Sequence, residues 1–190
     1  MIPGNTFTTD PVTGVLLYLN DTAYTPMIQH VMGGIALNDP SKGRLYQQWS
    51  ISYVNNQILV TASSDPTTPK FTMAVAGVTS VSLAFDNNMG LVIAWTTSVG
   101  ANLYYYDTPT ALYTTRLFPG LTSCRLCVDD PREFNLSQSD VIFGYTYNGN
   151  LCYRQQRDRY NIEYIIQPTT KLLVNMGPSS ENRLQFNMFG

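Results

Sequence analysis

Charge is what this sequence has least of: 11 Lys and Arg against 13 Asp and Glu in 190 residues, a net charge of −2 with only 13% of positions charged. Four basic residues precede Cys124 and no lysine-rich tail exists, so there is no electrostatic footprint for duplex nucleic acid or anionic lipid. Long hydrophobic runs are missing too. The longest, such as Gly90-Leu91-Val92-Ile93-Ala94-Trp95, fall far short of the roughly 18 residues of a membrane span. The start, Met1-Ile2-Pro3-Gly4-Asn5, lacks the basic and apolar regions of a secretory signal, and the expectation is folding in the cytoplasm. Three cysteines, Cys124, Cys127 and Cys152, are an odd set, which argues for free thiols rather than a disulfide scaffold.

Histidine is nearly absent. His30 alone cannot build a metal site with two imidazoles, and its neighbours Ile28, Gln29, Val31 and Met32 suit a packed or surface residue better than a catalytic one. Cys124-Arg125-Leu126-Cys127 has redox or zinc spacing, but in a strand residues three apart point to opposite faces and the sulfurs diverge. Asp129, Asp130, Asp158, Glu133 and Glu163 could supply a glycosidase pair only at a separation that sequence does not give; Asp129-Asp130 before Pro131 reads as a turn. Met32-Gly33-Gly34 and Ser41-Lys42-Gly43 lack phosphate-loop order and read as loops. The Asn20-Asp21-Thr22 and Asn135-Leu136-Ser137 sequons carry meaning only in a secreted chain. No cofactor is implied, and the chain reads as non-enzymatic.

What is present is apolar and β-prone. Hydrophobic residues make up 44% and aromatics 12%, enough for the core of one domain spanning 1–190. Short runs rich in Tyr, Thr, Val and Ile are closed by Asn, Gly, Asp or Pro, the pattern of an all-β chain. Expected strands are 14–19, 49–54, 57–62, 71–75, 80–85, 91–97 and 102–106, then 112–118, 123–128, 140–147, 150–155, 161–166, 172–175 and 183–189. Asn148-Gly149 and Asn55-Asn56 predict hairpin tips. Only 26–31 and 154–160 suit a helical turn.

Internal similarity adds organisation. Ser82 to Asp86, Gly90 to Trp95, Asn102 to Tyr106 and Tyr113 to Phe118 are followed in the same order by Arg125 to Asp129, Asp140 to Tyr145, Asn150 to Arg154 and Tyr160 to Ile166. Corresponding points lie 43 residues (Asp86 to Asp129) and 48 residues (Leu103 to Leu151) apart. A fainter copy holds Ile51 to Val54, Gln57 to Val60 and Phe71 to Val75. These weak repeats, near 45–76, 80–119 and 123–167 with terminal strands 14–19 and 183–189, predict antiparallel four-stranded meanders, arranged like propeller blades or folded as a β-sandwich. Tyr104-Tyr105-Tyr106 must place rings on both faces of a strand, and such a strand needs cover on both.

Arg154-Gln155-Gln156-Arg157-Asp158-Arg159-Tyr160 is the one dense polar cluster. Asp158 and Glu163 weaken it as a phosphate grip, leaving a solvated connection or a protein contact in which Arg154, Arg157, Arg159 and Tyr160, with Tyr104 and Tyr106, form an interface. The same aromatics could instead stack on sugar rings, so a glycan is the leading alternative partner.

The run from Ser139 to Tyr160 has an apolar strand, an Asn-Gly turn, a Leu-x-Tyr-Arg strand and Gln-Arg-Asp-Arg-Tyr. It resembles stretches of tailed-bacteriophage virion proteins, and the ending, Asn175-Met176-Gly177 through Arg183-Leu184-Gln185-Phe186, is similar in flavour. The resemblance covers about a quarter of the chain and has no catalytic residues to carry over. It implies a structural tail, baseplate or neck component located in the virion. Such a component assembles with copies of itself and with other virion proteins, without nucleic acid or membrane; the alternative is a receptor-recognition module that binds carbohydrate.

Overall fold

The computed structural model describes residues 7–9, 16–18, 31–38, 45–62, 65–86, 90–129, 140–178 and 183–190. His30, Ser41-Lys42-Gly43, Asp130, Glu133 and both sequons lie outside them. The described chain is built from strands: β1 (Phe7–Thr9), β2 (Leu16–Tyr18), β3 (Val31–Asn38), β4 (Leu45–Val54), β5 (Gln57–Ala62), β6 (Phe71–Ala74), β7 (Ser80–Phe85) and β8 (Leu91–Thr97). They continue as β9 (Gly100–Asp107), β10 (Leu112–Pro119), β11 (Thr122–Val128), β12 (Val141–Tyr147), β13 (Asn150–Gln155), β14 (Tyr164–Pro168), β15 (Leu172–Pro178) and β16 (Leu184–Phe189). A single 3-10 turn, Gln156–Asp158, lies within the region expected to hold one.

Strands adjacent in sequence pair antiparallel, giving three four-stranded meanders: β3–β6, β7–β10 and β11–β14. Two-stranded hairpins, β1–β2 and β15–β16, complete the described sheets. The predicted tips form two-residue turns. Asn55 and Asn56 sit at φ 51° and 59°, and Asn148 and Gly149 at 47° and 73°, the left-handed pair that matches strand twist in a tight hairpin.

Two expectations need correction. Met32-Gly33-Gly34 is not a loop but part of β3, with a register shift between Gly33 and Ile35 that absorbs the glycine pair. The first meander therefore starts at Val31, and its sequence copy looked faint because its first strand was missing from the comparison. The repeat spacing also shifts: Thr97 pairs with Gly100 and Tyr147 with Asn150, so Gly100 and Asn150 are the equivalent points, 50 residues apart. The expected pairing of Leu103 with Leu151 differs from this spacing by two residues, which leaves every side chain on the same face.

Each meander is its own sheet, which is the blade-like arrangement and not a two-sheet sandwich; no closed barrel is seen among the described residues. The first strands stack in chain order, β3 on β7, β7 on β11 and β11 on β15, and β3 also approaches β11. Between the first and second meanders lies a core of Ile51, Ile58, Val60, Leu83, Ile93 and Trp95. Between the second and third lies another, with Leu103, Tyr105, Phe118, Phe143, Tyr145 and Tyr160. A smaller one, Cys127, Ile142 and Met176, joins the third meander to β15–β16. The middle meanders are thus covered on both faces, which explains why β8 and β12 open on continuous apolar runs and why β7 is buried at successive positions rather than alternate ones. Tyr105 faces one seam while Tyr104 lies 5.4 Å from Phe71 on the other.

Candidate functional site: the arginine clasp between two meanders

The polar cluster of the sequence folds into the seam between the second and third meanders. A repeated device prepares it. Asp86 follows β7 and accepts a bond from the Gly90 amide at 2.6 Å; Asp129 follows β11 and accepts one from the Asp140 amide at 2.7 Å. Each carboxylate thereby ties the end of its meander's first strand to the start of the second. The backbones also pair at the same points, Asp86 N to Gly90 O and Asp129 N to Asp140 O.

The connection from β13 to β14 lies across these strand ends. After the 3-10 turn, Arg159 and Tyr160 both adopt left-handed backbone, φ 53° and 56°, a conformation costing on the order of 1 kcal/mol per residue for non-glycine positions. The turn repays part of that cost with three backbone bonds, from the amides of Arg159, Tyr160 and Asn161 to the carbonyls of Gln156, Gln155 and Asp158. It also separates the two side chains: Arg159 turns outward along the strand ends and Tyr160 turns into the core.

Arg159 grips Asp107, the last residue of β9, through Nε at 2.8 Å and Nη2 at 2.9 Å. This fork holds the Asp107 carboxyl below the usual carboxylate range. Gln156 reaches Asp86 at 3.1 Å, and Arg116 of β10 donates to Arg159 O at 3.1 Å and Asn161 Oδ1 at 2.7 Å. These bonds cross from one meander to the next. Within the third meander, Arg157 bridges Asp140 at 2.6 Å and Asp129 at 3.1 Å. Burial pushes the Asp140 carboxyl up, against the pull of that guanidinium.

Arg154 makes four hydrogen bonds. Nε donates to Tyr145 Oη at 2.7 Å, Nη1 to the carbonyls of Tyr160 and Asn161 at 3.0 and 2.9 Å, and Nη2 to Glu163 at 3.2 Å. The Tyr145 hydroxyl donates a hydrogen bond to Glu163 at 2.6 Å, and the Arg154 guanidinium lies over the Phe118 ring at 5.3 Å. Tyr160 is fully buried, its ring edge-on to Tyr105 at 4.9 Å, and so has no surface to offer another chain.

Of the six residues expected at an interface, Arg154, Arg157, Arg159 and Tyr160 are therefore brought together; the three arginines bond inside this chain, while the buried Tyr160 hydroxyl has no hydrogen-bond partner. Tyr104 and Tyr106 lie elsewhere, around Tyr113: Tyr104 stacks on it at 4.9 Å and Tyr106 meets it edge-on at 5.4 Å. Asp107, Asp86, Asp140, Arg116 and Tyr145 complete the clasp and were not singled out from sequence as partners. The available signal was the recurrence of Asp86 and Asp129 at equivalent strand ends.

Chemically, the arrangement fastens sheets. The carboxylates of the clasp are engaged by guanidinium or amide donors. Cys124 and Cys127 face opposite seams, burial raises both thiols, and Cys127 is pushed up to about 12, which disfavours the reactive thiolate. Among the described residues no group of three metal-ligating side chains occurs, and no helix is long and apolar enough to cross a membrane. The chain matches no family model, no curated protein and no solved structure.

Proposed function

We propose that this chain is a non-enzymatic structural subunit of a tailed-phage virion, a tail, baseplate or neck component that assembles with itself and with neighbouring virion proteins. The observation that carries the reading is where the uncovered apolar residues sit. On β10, the outer edge of the second meander, Leu112 is 66% exposed and Leu117 is exposed as well; on β14, the outer edge of the third, Ile165 is 64% exposed beside Ile166. Apolar side chains left uncovered along outer strands mark surfaces that other polypeptide covers. The resemblance of Ser139 to Tyr160 to virion proteins supplies the kind of particle. Against a sugar-binding role, Tyr104 and Tyr113 stack on each other, as do Tyr153 and Tyr164 at 4.9 Å, which occupies ring faces a pyranose would need.

The test is to look for the chain in purified particles by mass spectrometry and to measure its mass alone by sedimentation. Presence in the particle together with a defined oligomer, weakened by Leu117→Lys or Ile165→Lys while the fold persists, is expected. A stable monomer absent from particles overturns the reading.

A further inference from the structure

We propose that β15–β16 is half a blade, completed by the β1–β2 hairpin of a second copy of this chain, so that copies join through a shared four-stranded sheet. The inference deepens the self-assembly part of the function proposed above and rests on it only to that extent.

Strand arithmetic gives the first reason. Three successive sheets have four strands each, while the two ends of the chain form sheets of two, and neither end hairpin pairs with the other in the folded chain. A two-stranded sheet is marginal in water, so each hairpin gains by finding the other. The edge of β16 gives the second. Natural edges are blunted by charge, proline or shortness. β10 carries Arg116 and Pro119, β14 ends in Pro168 and β6 spans only four residues, whereas β16 reads Leu184-Gln185-Phe186-Asn187-Met188-Phe189 with none of these.

The faces give the third. Leu173 and Met176 are buried toward the third meander, yet on the opposite face Leu172 is exposed and its register partner Phe189 is 73% exposed. A further pair of strands would widen this sheet in its own plane to the four-strand width of the other meanders, leaving that open face for a stacked neighbour. Among the described residues β1–β2 pairs only with itself, and the place beside β16 is assigned to the hairpin of another copy. The contact joins the edge of one copy to the hairpin of another, so reciprocal exchange closes a two-fold dimer and one-way exchange builds larger rings or filaments.

The experiment uses the full chain with p-benzoylphenylalanine at position 189, and separately at exposed Asn187, so that a change in packing at one site does not decide the outcome. Light and heavy-nitrogen copies are unfolded and refolded together, irradiated, and the crosslinked peptides identified. Expected are crosslinks from β16 to residues 7–18 joining one light and one heavy peptide. Crosslinks to 7–18 only within a single isotope label overturn the proposal in favour of the chain's own hairpin. Crosslinks confined to other segments, or no crosslink with a monomeric mass, overturn it as well. A chain found in particles but failing this test sinks the half-blade and leaves the virion reading standing.

Discussion

The third meander presents its two faces to very different neighbours. Toward the second meander it packs Phe143, Tyr145 and Tyr160 against Phe118, Leu103 and Tyr105, and the β13–β14 connection adds Arg159–Asp107 and Gln156–Asp86 across the seam. Toward β15–β16 it offers Cys127, Ile142 and Gly144 to Met176 and Leu173, with Tyr153, Leu184 and Phe186 half-buried, and Arg125 donating to Val174 O at 2.8 Å. Burying a large apolar side chain contributes on the order of 1.5–3 kcal/mol, so the first seam outweighs the second severalfold before its polar bonds are considered. One sheet thus carries a permanent joint on one side and a light one on the other. The light one leads to the hairpin whose outer edge is unpaired.

The largest effect is expected from emptying the heavy seam. Phe143 is fully buried, 5.2 Å from both Phe118 and Tyr145, and Phe143→Ala should cost about 3–5 kcal/mol in urea unfolding. Gly144, its neighbour, faces the other way. A Cβ there would meet Met176 Sδ at 2.7 Å and Leu173 Cδ2 at 3.2 Å, so Gly144→Ala should cost about 1–3 kcal/mol. Hydrogen exchange should place that loss in β15 and β16 while β8 and β9 keep their protection. Equal loss in both regions would show that the two seams are not separable.

Smaller effects come from the clasp and are visible in acid. Arg159 holds the Asp107 carboxyl low, so the pair stabilises the fold above the ordinary carboxylate pKa and the contribution fades as pH falls through the lower folded value. Asp140 runs the other way: burial raises it, and protonation between its ordinary and its raised value relieves a cost. Urea midpoints measured from about pH 5 to about pH 2 should therefore fall less steeply for Arg159→Ala than for the parent, and more steeply for Asp140→Asn. The smallest effect is predicted for Lys70→Ala. Lys70 and Asp65 meet at 2.8 Å on the surface, away from either seam, and the thermal midpoint should not move measurably.

Much of this was legible in the sequence because the residues carrying it act locally. β5, β7, β8 and β13 match the expected ranges, since β-branched and aromatic runs closed by Asn or Gly need no tertiary information to declare themselves. The opposite orientation of Cys124 and Cys127 followed from the two-residue period of a strand. β3 escaped because Gly33-Gly34 signals a break locally, while the bulged pairing with β4 that accommodates it depends on residues further along. Arg159 read from sequence as an interface residue, but its partner Asp107 lies 52 positions away in the same chain, and only the stacking of two meanders brings them together. Tyr160 was misjudged for a related reason: its left-handed backbone, which turns the ring inward, is unusual for tyrosine and leaves no compositional mark.

The central claim is that the third meander's two seams differ in strength, and the native cysteines report on both. Cys127 lies in the light seam, Cys124 and Cys152 in the heavy one. Thiol modification under native conditions, followed residue by residue with rising urea, should reach Cys127 first, through an opening that costs less free energy than global unfolding, with Cys124 and Cys152 reacting only as the whole chain unfolds. Modification of all three thiols through one common opening, with the same urea dependence, would contradict the account.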